Sequence, residues 1–322
     1  MGTREVLLAA VIPAVVAVVL FAALHLWGRV AGGRPAPAGD GGETTTPSPA
    51  AAAATRGWVF AAVFALLVSG LTVLGSYAWQ SEVAIWSDSV THRVPAMALA
   101  AGVLGLVGTL TPIRKSAIGL GVLGAVGGWF AGWAVLSGLH ESLIGEGARW
   151  GWIGGVGVIA GVQAWAMALG VRALPGWRGP VLVWLVVGLA ALGATAGLAN
   201  APLVLWPTAA AAFGLTVVGV LRRDVDLLAG ATPAIALVFM GALSLSHWFG
   251  SEERWLMFGL LSAGPVGIGA AALLRGKPGW VRLVVAGIVS LGLVGAQAAV
   301  SVPGLIEASS GSGGDEDYYY DY

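Results

Sequence analysis

Residues 95–138, PAMALAAGVLGLVGTLTPIRKSAIGLGVLGAVGGWFAGWAVLSG, hold two apolar runs separated by the short polar segment TPIRKS at 111–116. Each run is close to the roughly 20 residues of α-helix that cross the hydrocarbon core of a bilayer. Neither run contains an Asp, Glu, Lys or Arg. The alternation of long apolar runs with short polar breaks predicts a bundle of transmembrane helices.

The composition of the whole chain agrees with this interpretation. Of its 322 residues, 57% are hydrophobic and 10% are charged, whereas a soluble domain carries about 25% charged residues. The net charge is zero, which gives no indication of nucleic-acid binding. Cysteine is absent, and this excludes disulfides, thiolate metal ligands and cysteine nucleophiles. We predict no cofactor.

Ten apolar runs of spanning length are present, and they predict an all-α, polytopic bundle of about ten spans. The runs are approximately 6–28, 57–79, 95–113, 116–138, 151–171, 181–199, 203–221, 229–248, 256–274 and 281–301. The weakest division is that between 181–199 and 203–221, where only Asn200 and Pro202 interrupt the pattern. If those two runs were one long broken helix, every later segment would change sides.

The basic residues support ten spans and predict the orientation. With ten spans, twelve of the sixteen basic residues fall on one face and four on the other. The first face collects Arg29, Arg34, Arg56, Arg114, Lys115, Arg172, Arg178, Arg222, Arg223, Arg275, Lys277 and Arg282, and the second Arg4, Arg93, Arg149 and Arg254. Because cytoplasmic loops are rich in Lys and Arg, we predict a multi-pass protein of a prokaryotic plasma membrane with both termini on the outer face.

The predicted organisation has four parts. Residues 1–31 form the first transmembrane helix, 32–56 a flexible cytoplasmic linker rich in Pro, Gly, Ala and Thr, 57–301 a nine-helix bundle, and 302–322 a disordered tail. A signal peptide cleaved near APA at 36–38 is an alternative for the first part. The preceding apolar run is longer than the usual h-region of about 7–15 residues, which argues against cleavage.

The tail ends in an acidic cluster that is rich in tyrosine. One interpretation is a solvated, disordered end, and the other is a docking motif for a protein partner. The residues that would carry docking are Asp315, Glu316, Asp317, Tyr318, Tyr319, Tyr320 and Tyr322.

Short similarities suggest a parallel internal repeat of four spans. RGW at 56–58 and PGW at 175–177 and 278–280 each open a span, four spans apart, and GEGARW at 145–150 resembles SEERW at 251–255. The alternative is convergence, because Trp is common at membrane interfaces in any such protein.

Glycines recur every four residues in several runs. They form Gly124-x-x-x-Gly128-x-x-x-Gly132, Gly151-x-x-x-Gly155, Gly157-x-x-x-Gly161 and Gly193-x-x-x-Gly197. This spacing places glycines on one side of a helix and lets helix backbones approach closely. We therefore predict that these glycines pack helices together.

No ionisable residue lies near the centre of any predicted span, which argues against a pump driven by protons or sodium. Gln163 and Gln297 are the carboxamides inside spans. Each could hydrogen-bond between helices. With the Gly-Pro break at Pro265, they could instead line a substrate path.

The predicted outer face combines histidines with carboxylates, which are ligands of zinc and similar ions. The candidates for a metal or acid–base site are His92, His140, His247, Glu146 and Glu252. Their spacing matches no known metal motif, and interfacial histidines among solvated charges are the alternative interpretation.

Three functional hypotheses follow. The first is a non-catalytic membrane subunit or scaffold that lies in the lipid bilayer and binds partners through its acidic outer face and its tail. The second is a permease or channel for a small solute, and the third is a membrane enzyme with an outer-face metal site.

Overall fold

A computed structural model describes residues 12–32, 49–80, 90–139, 143–195, 202–221, 226–249 and 255–309. Every regular element in these ranges is a helix, which confirms the predicted all-α class. The long helices are α1 (Ile12–Gly32), α2 (Pro49–Gln80), α3 (Val94–Leu110), α4 (Ala117–Leu136), α5 (Glu146–Ala173), α6 (Arg178–Thr195), α7 (Pro202–Leu221), α8 (Thr232–Phe249), α9 (Trp255–Gly267) and α11 (Gly279–Ser309), and a single turn, α10 (Ala270–Leu273), follows α9.

Each of the ten predicted runs overlaps one of these long helices. Four helical segments are long and apolar enough to cross a membrane: Ala117–Leu136, Glu146–Ala173, Ala229–Phe249 and Gly279–Ala296. Six other apolar stretches, of 10–17 residues, are Ile12–Leu26, Val59–Leu74, Val94–Leu110, Arg178–Leu192, Leu205–Leu221 and Phe258–Leu273. Helix α2 begins inside the predicted linker, at Pro49, and α11 continues into the predicted tail, to Ser309.

The doubtful division between 181–199 and 203–221 separates two helices that lie side by side. Trp184 of α6 packs against Phe213 of α7, with ring centroids 5.1 Å apart. A side chain at Gly219, near the end of α7, would meet the backbone of Trp177, which lies just before α6. The two helices therefore run antiparallel, as a hairpin does, and do not form one continuous helix.

Local sequence explains where several helices begin and end. The side chain of Ser116 accepts a hydrogen bond from the backbone N–H of Gly119 at 3.0 Å and so caps the start of α4. Pro265 interrupts the run 256–274 because it has no N–H to donate. Beyond it the backbone closes in tighter turns, with Ile268 N donating to Pro265 O at 3.3 Å and Gly269 N to Val266 O at 2.9 Å.

Helix α8 is the centre of the bundle. Within Ala229–Phe249, 94% of the spanning window is buried. Helices α3, α4, α5, α6, α7 and α9 all contact α8. Around it, α3, α4, α5, α9, α11, α6, α7 and α2 form a closed series in which each helix contacts the next, and α1 packs outside, against α7.

The outward surface of this ring is largely apolar. Ile118 is 72% exposed, and Val158 and Ile288 are exposed to a similar degree. A large apolar surface of this kind is costly in water and is expected where a protein meets lipid.

Arginines join neighbouring elements at both ends of the bundle. At one end, called the basic end below, Arg172 donates to the backbone oxygen of Arg114, and Arg282 Nη1 donates to Ala173 O at 2.7 Å. At the opposite end, Arg93 Nη1 donates to Ala134 O at 2.8 Å and Arg149 Nη2 to Leu139 O at 2.9 Å. Cations at the last carbonyls of a helix stabilise its C-terminus.

Candidate functional site

An apolar groove of about 320 Å³ lies beside the first half of α5, at the end of the bundle opposite the basic end. It is called the α5 groove below. Its lining residues are Ile144, Ala148, Gly151, Trp152, Gly155, Val156, Ile159, Trp248 and Phe258. One wall comes from α5, and the other from the end of α8 and the start of α9. The groove lies between helices, where ligand and partner sites often occur in bundles.

A cluster of aromatic rings forms the floor and far wall of the α5 groove. The Trp152 ring stacks on His247 at 5.3 Å and 18°, and meets Trp248 edge-on at 5.5 Å. Phe258 lies 5.2 Å from Trp152 and 5.5 Å from His247. Aromatic pairs in these arrangements add stability beyond the area that they bury. The cluster therefore joins α5, α8 and α9.

The α5 wall of the groove contains two glycines, Gly151 and Gly155, and Gly154 lies beside them on the helix. At Gly151, Gly154 and Gly155, a Cβ atom would meet no described atom within 4 Å outside its own helix. These three residues are called the open glycine face below. Among the described residues, Gly151 and Gly155 make no close helix contact of the predicted kind, because the opposing side chains lie across the α5 groove.

Other glycines of the same two runs do pack as predicted. A Cβ at Gly128 would lie 2.7 Å from the carbonyl oxygen of Val156, and one at Gly161 would lie 3.0 Å from the Cβ of Ala125. The closed glycine seam, as we call it, joins α4 to α5 through Gly121, Gly124, Gly128, Gly157 and Gly161. Gly193 and Gly197 lie outside the side chains that the structure describes.

Gln163 lies on α5, three helical turns beyond Trp152, in a fully buried position. Its Nε2 donates to the backbone oxygen of Ser262 at 2.8 Å and contacts the sulfur of Met240 at 3.2 Å. Its Oε1 is buried without a hydrogen-bond partner among the described residues. The carboxamide thus joins α5 to α9 and α8, and leaves one strong acceptor unsatisfied, which costs free energy.

The other two residues of the predicted path are less connected. Pro265 is buried inside α9, one turn beyond Ser262. Gln297 belongs to α11, but its side chain lies outside the described part. The structure therefore brings Gln163 close to the Gly-Pro break and leaves the place of the Gln297 carboxamide open.

The predicted metal site is only partly described. His247 is buried within the aromatic cluster, and Glu146 is exposed in the first turn of α5. His140, Glu252 and the side chain of His92 lie outside the described residues. Among those described, no group of three His, Asp or Glu side chains could hold a metal ion. The acidic tyrosine cluster at 315–322 also lies outside the described part.

A second cavity, of about 380 Å³, opens at the basic end. It is lined by Leu110, Thr111, Pro112, Arg114 and Lys115, which form the turn between α3 and α4. We call it the α3–α4 cavity. Thr111 Oγ1 donates to Val107 O at 2.6 Å and so closes the last turn of α3. The two cations are therefore held on a short, capped connection.

Neither cavity is predicted from the sequence, although a signal for the α5 groove is present. Six residues separate Gly151 from Gly157, a rotation of about 240° around the helix axis. The two glycine pairs of α5 therefore face different directions, and one neighbouring helix cannot cover both. Comparison of the chain with known protein families, with curated proteins and with solved structures finds no match.

Proposed function

We propose that the protein is a ten-span integral protein of a prokaryotic plasma membrane, with the basic end in the cytoplasm. The support is that ten apolar helical stretches are present, four of them of full spanning length. The exposed apolar side chains on the ring support a lipid environment, and the positive-inside rule supports the orientation. The parallel four-span repeat remains part of the proposal and rests on the sequence similarities alone.

Within the membrane, the function that the geometry supports best is that of a non-catalytic subunit that binds a transmembrane helix of a partner protein. The observation that carries this proposal is the open glycine face beside the α5 groove. Inside the bundle, the same spacing of glycines brings α4 and α5 into close contact. On the open side of α5, the spacing offers the same kind of surface to a helix from another chain.

The chemistry of the groove agrees with side chains of an apolar helix as the occupant. Its lining is apolar, with aromatic rings on one side and glycine on the other. A partner helix with a small or branched side chain every fourth residue could place that side chain against Gly151 and Gly155. Helix association in lipid depends on such close van der Waals packing.

The test fills the groove without disturbing the fold. The double substitution Gly151→Leu and Gly155→Leu adds side chains where the described structure leaves open space. Gly70→Leu with Gly292→Leu is the matched control, because both glycines are exposed and equally open but lie on α2 and α11. Proteins that co-purify with the tagged wild-type chain from its native membrane are identified by mass spectrometry. We expect the groove variant to lose a protein that the control retains.

Equal recovery from both variants would rule out the groove as a partner site. If the protein that the groove variant loses is a second copy of this chain, the groove is the interface of a homo-oligomer. The predicted partner contact of the tail is tested separately, by deletion of residues 308–322. If the tail contributes to binding, the deletion weakens recovery of the same partner, and unchanged recovery removes the tail from the proposal.

A permease is the second candidate, and the unsatisfied Oε1 of Gln163 favours it. A buried acceptor next to a broken helix is an arrangement that can hold a polar solute. Gln163→Leu keeps the side-chain size and removes the acceptor. In vesicles, a permease that uses this path should lose uptake of its solute in the variant while folding normally. Solute uptake at the wild-type rate would exclude Gln163 from the path.

A further inference from the structure

We propose that the α3–α4 cavity at the basic end binds the phosphate group of an anionic phospholipid from the adjacent leaflet. The inference rests on the proposed function, because it requires the basic end to lie at a membrane surface. It concerns a different partner from the helix in the α5 groove, and it uses residues at the opposite end of the bundle.

The charge of the cavity is the first argument. Arg114 and Lys115 both line it, and neither forms an ion pair with a residue that the structure describes. Arg172 donates to the backbone oxygen of Arg114, so a third cation lies beside the same turn. Guanidinium and ammonium groups are the usual protein ligands of phosphate.

One acidic side chain belongs to the segment that contacts α3 just before α8, and it is already engaged. Asp226 precedes α8, and its Oδ1 accepts hydrogen bonds from the backbone N–H groups of Leu228 and Ala229 at 3.1 and 3.0 Å. The other acidic side chain that the structure describes, Glu146, belongs to the opposite end of α5. No acidic side chain among the described residues therefore neutralises the positive charge of the cavity, and an external anion could do so.

An apolar surface next to the cavity fits the acyl chains. Leu110 lines the cavity and is 58% exposed, and Val103 lies two helical turns earlier on the same side of α3. Ile118 and Val122, one turn apart on α4, are also exposed. A lipid with its phosphate at Arg114 and Lys115 could lay its chains along these side chains. A free phosphate ion would leave that surface uncovered, so we infer a lipid.

The experiment compares two pairs of cations at the same end of the bundle. The double variant Arg114→Gln and Lys115→Gln removes the cavity's charge. The matched control, Arg275→Gln with Lys277→Gln, removes two exposed cations that lie outside the cavity. Purified full-length protein in mixed micelles is titrated with phosphatidylglycerol or phosphatidylcholine, and native mass spectrometry counts the bound lipids.

We expect the wild-type chain and the control to retain one phosphatidylglycerol in preference to phosphatidylcholine. The cavity variant should bind that lipid roughly tenfold to thirtyfold more weakly, since each cation near an anionic surface contributes about a fivefold change in affinity. Equal losses in both variants, or no preference in the wild type, would overturn the proposal. Displacement of the lipid by equimolar inorganic phosphate would also overturn it.

Alkaline carbonate treatment of membranes separates this proposal from the one on which it rests. Release of the wild-type chain into the supernatant would overturn the membrane assignment and the lipid site together. Retention in the membrane without a preference for phosphatidylglycerol would overturn the lipid site alone.

Discussion

Two sides of α5 carry glycines at the same spacing and have opposite surroundings. Gly157 and Gly161 lie in the closed glycine seam, where backbone and Cβ atoms of α4 leave no room for a side chain. Gly151 and Gly155 belong to the open glycine face, where no described atom comes within 4 Å of a built Cβ. Glycine spacing therefore predicts which face of a helix another helix can approach closely. It does not predict whether another helix packs there.

The largest expected effect comes from placing a large side chain in the closed glycine seam. In Gly128→Leu, the new Cβ would lie 2.7 Å from Val156 O and 3.1 Å from the Cα of Gly157. These are backbone atoms, which cannot rotate away. We expect a loss of at least about 3 kcal/mol of stability, seen as aggregation in size-exclusion chromatography. A monodisperse variant with a wild-type melting temperature would show that the seam is not closed.

The next effect tests the aromatic wall of the α5 groove. Trp152→Ala removes the ring that contacts His247, Trp248 and Phe258. Because Trp152 is only half-buried, we expect a loss of about 2 kcal/mol, less than for a fully buried ring. Trp150→Ala, on the exposed side of α5, is the control and should cost under about 0.5 kcal/mol. Similar melting temperatures for the two variants would contradict a structural role for the wall.

A smaller change sharpens the comparison at the seam. In Gly124→Ala, the added methyl group would lie 2.8 Å from the carbonyl oxygen of Ala160 and closer still to the Cβ of Ala164. Since α4 and α5 must separate slightly to accommodate it, we expect a loss of about 1 to 2 kcal/mol. Thermal unfolding in detergent, followed by circular dichroism, measures the change. A gain in stability would show that the two helices are not held at this distance.

The smallest effect should have the opposite sign. Gly155→Ala adds the same methyl group on the same helix, but into open space. Alanine is favoured over glycine in a helix by about 0.5 to 1 kcal/mol, so the melting temperature should rise slightly. The same unfolding experiment applies. A loss as large as that of Gly124→Ala would mean that an unseen element already covers the open face.

The helices and their order could be predicted from the sequence, because a spanning run needs only about 20 apolar residues and a polar break. The break at Pro265 was also predictable, since proline cannot donate within a helix. Which helix would be central was not predictable. The run 229–248 is apolar, but so are its neighbours, and a run surrounded by helices has the same composition as one surrounded by lipid.

The candidate sites were predicted less well than the fold. The burial of Gln163 follows from its place in a run, whereas its partners Met240 and Ser262 lie 77 and 99 residues away and depend on tertiary packing. The backbones of α5 and of the segment after α9 come closest where Gly170 meets Ile268, far along α5 from the α5 groove. Local sequence does not encode the point at which two helices diverge, so the α5 groove cannot be predicted from it.

The central position of α8 also constrains how the protein is made. Seven of the helices that the structure describes leave the ribosome before α8, and α9 and α11, which complete the ring around it, leave afterwards. Until then, α8 lies against a ring that lacks two of its eight helices, and one flank of α8 is unshielded. The segment after Phe249 is therefore needed to enclose a helix synthesised before it. A chain truncated after Phe249 should be recognised as incomplete and degraded by membrane quality control.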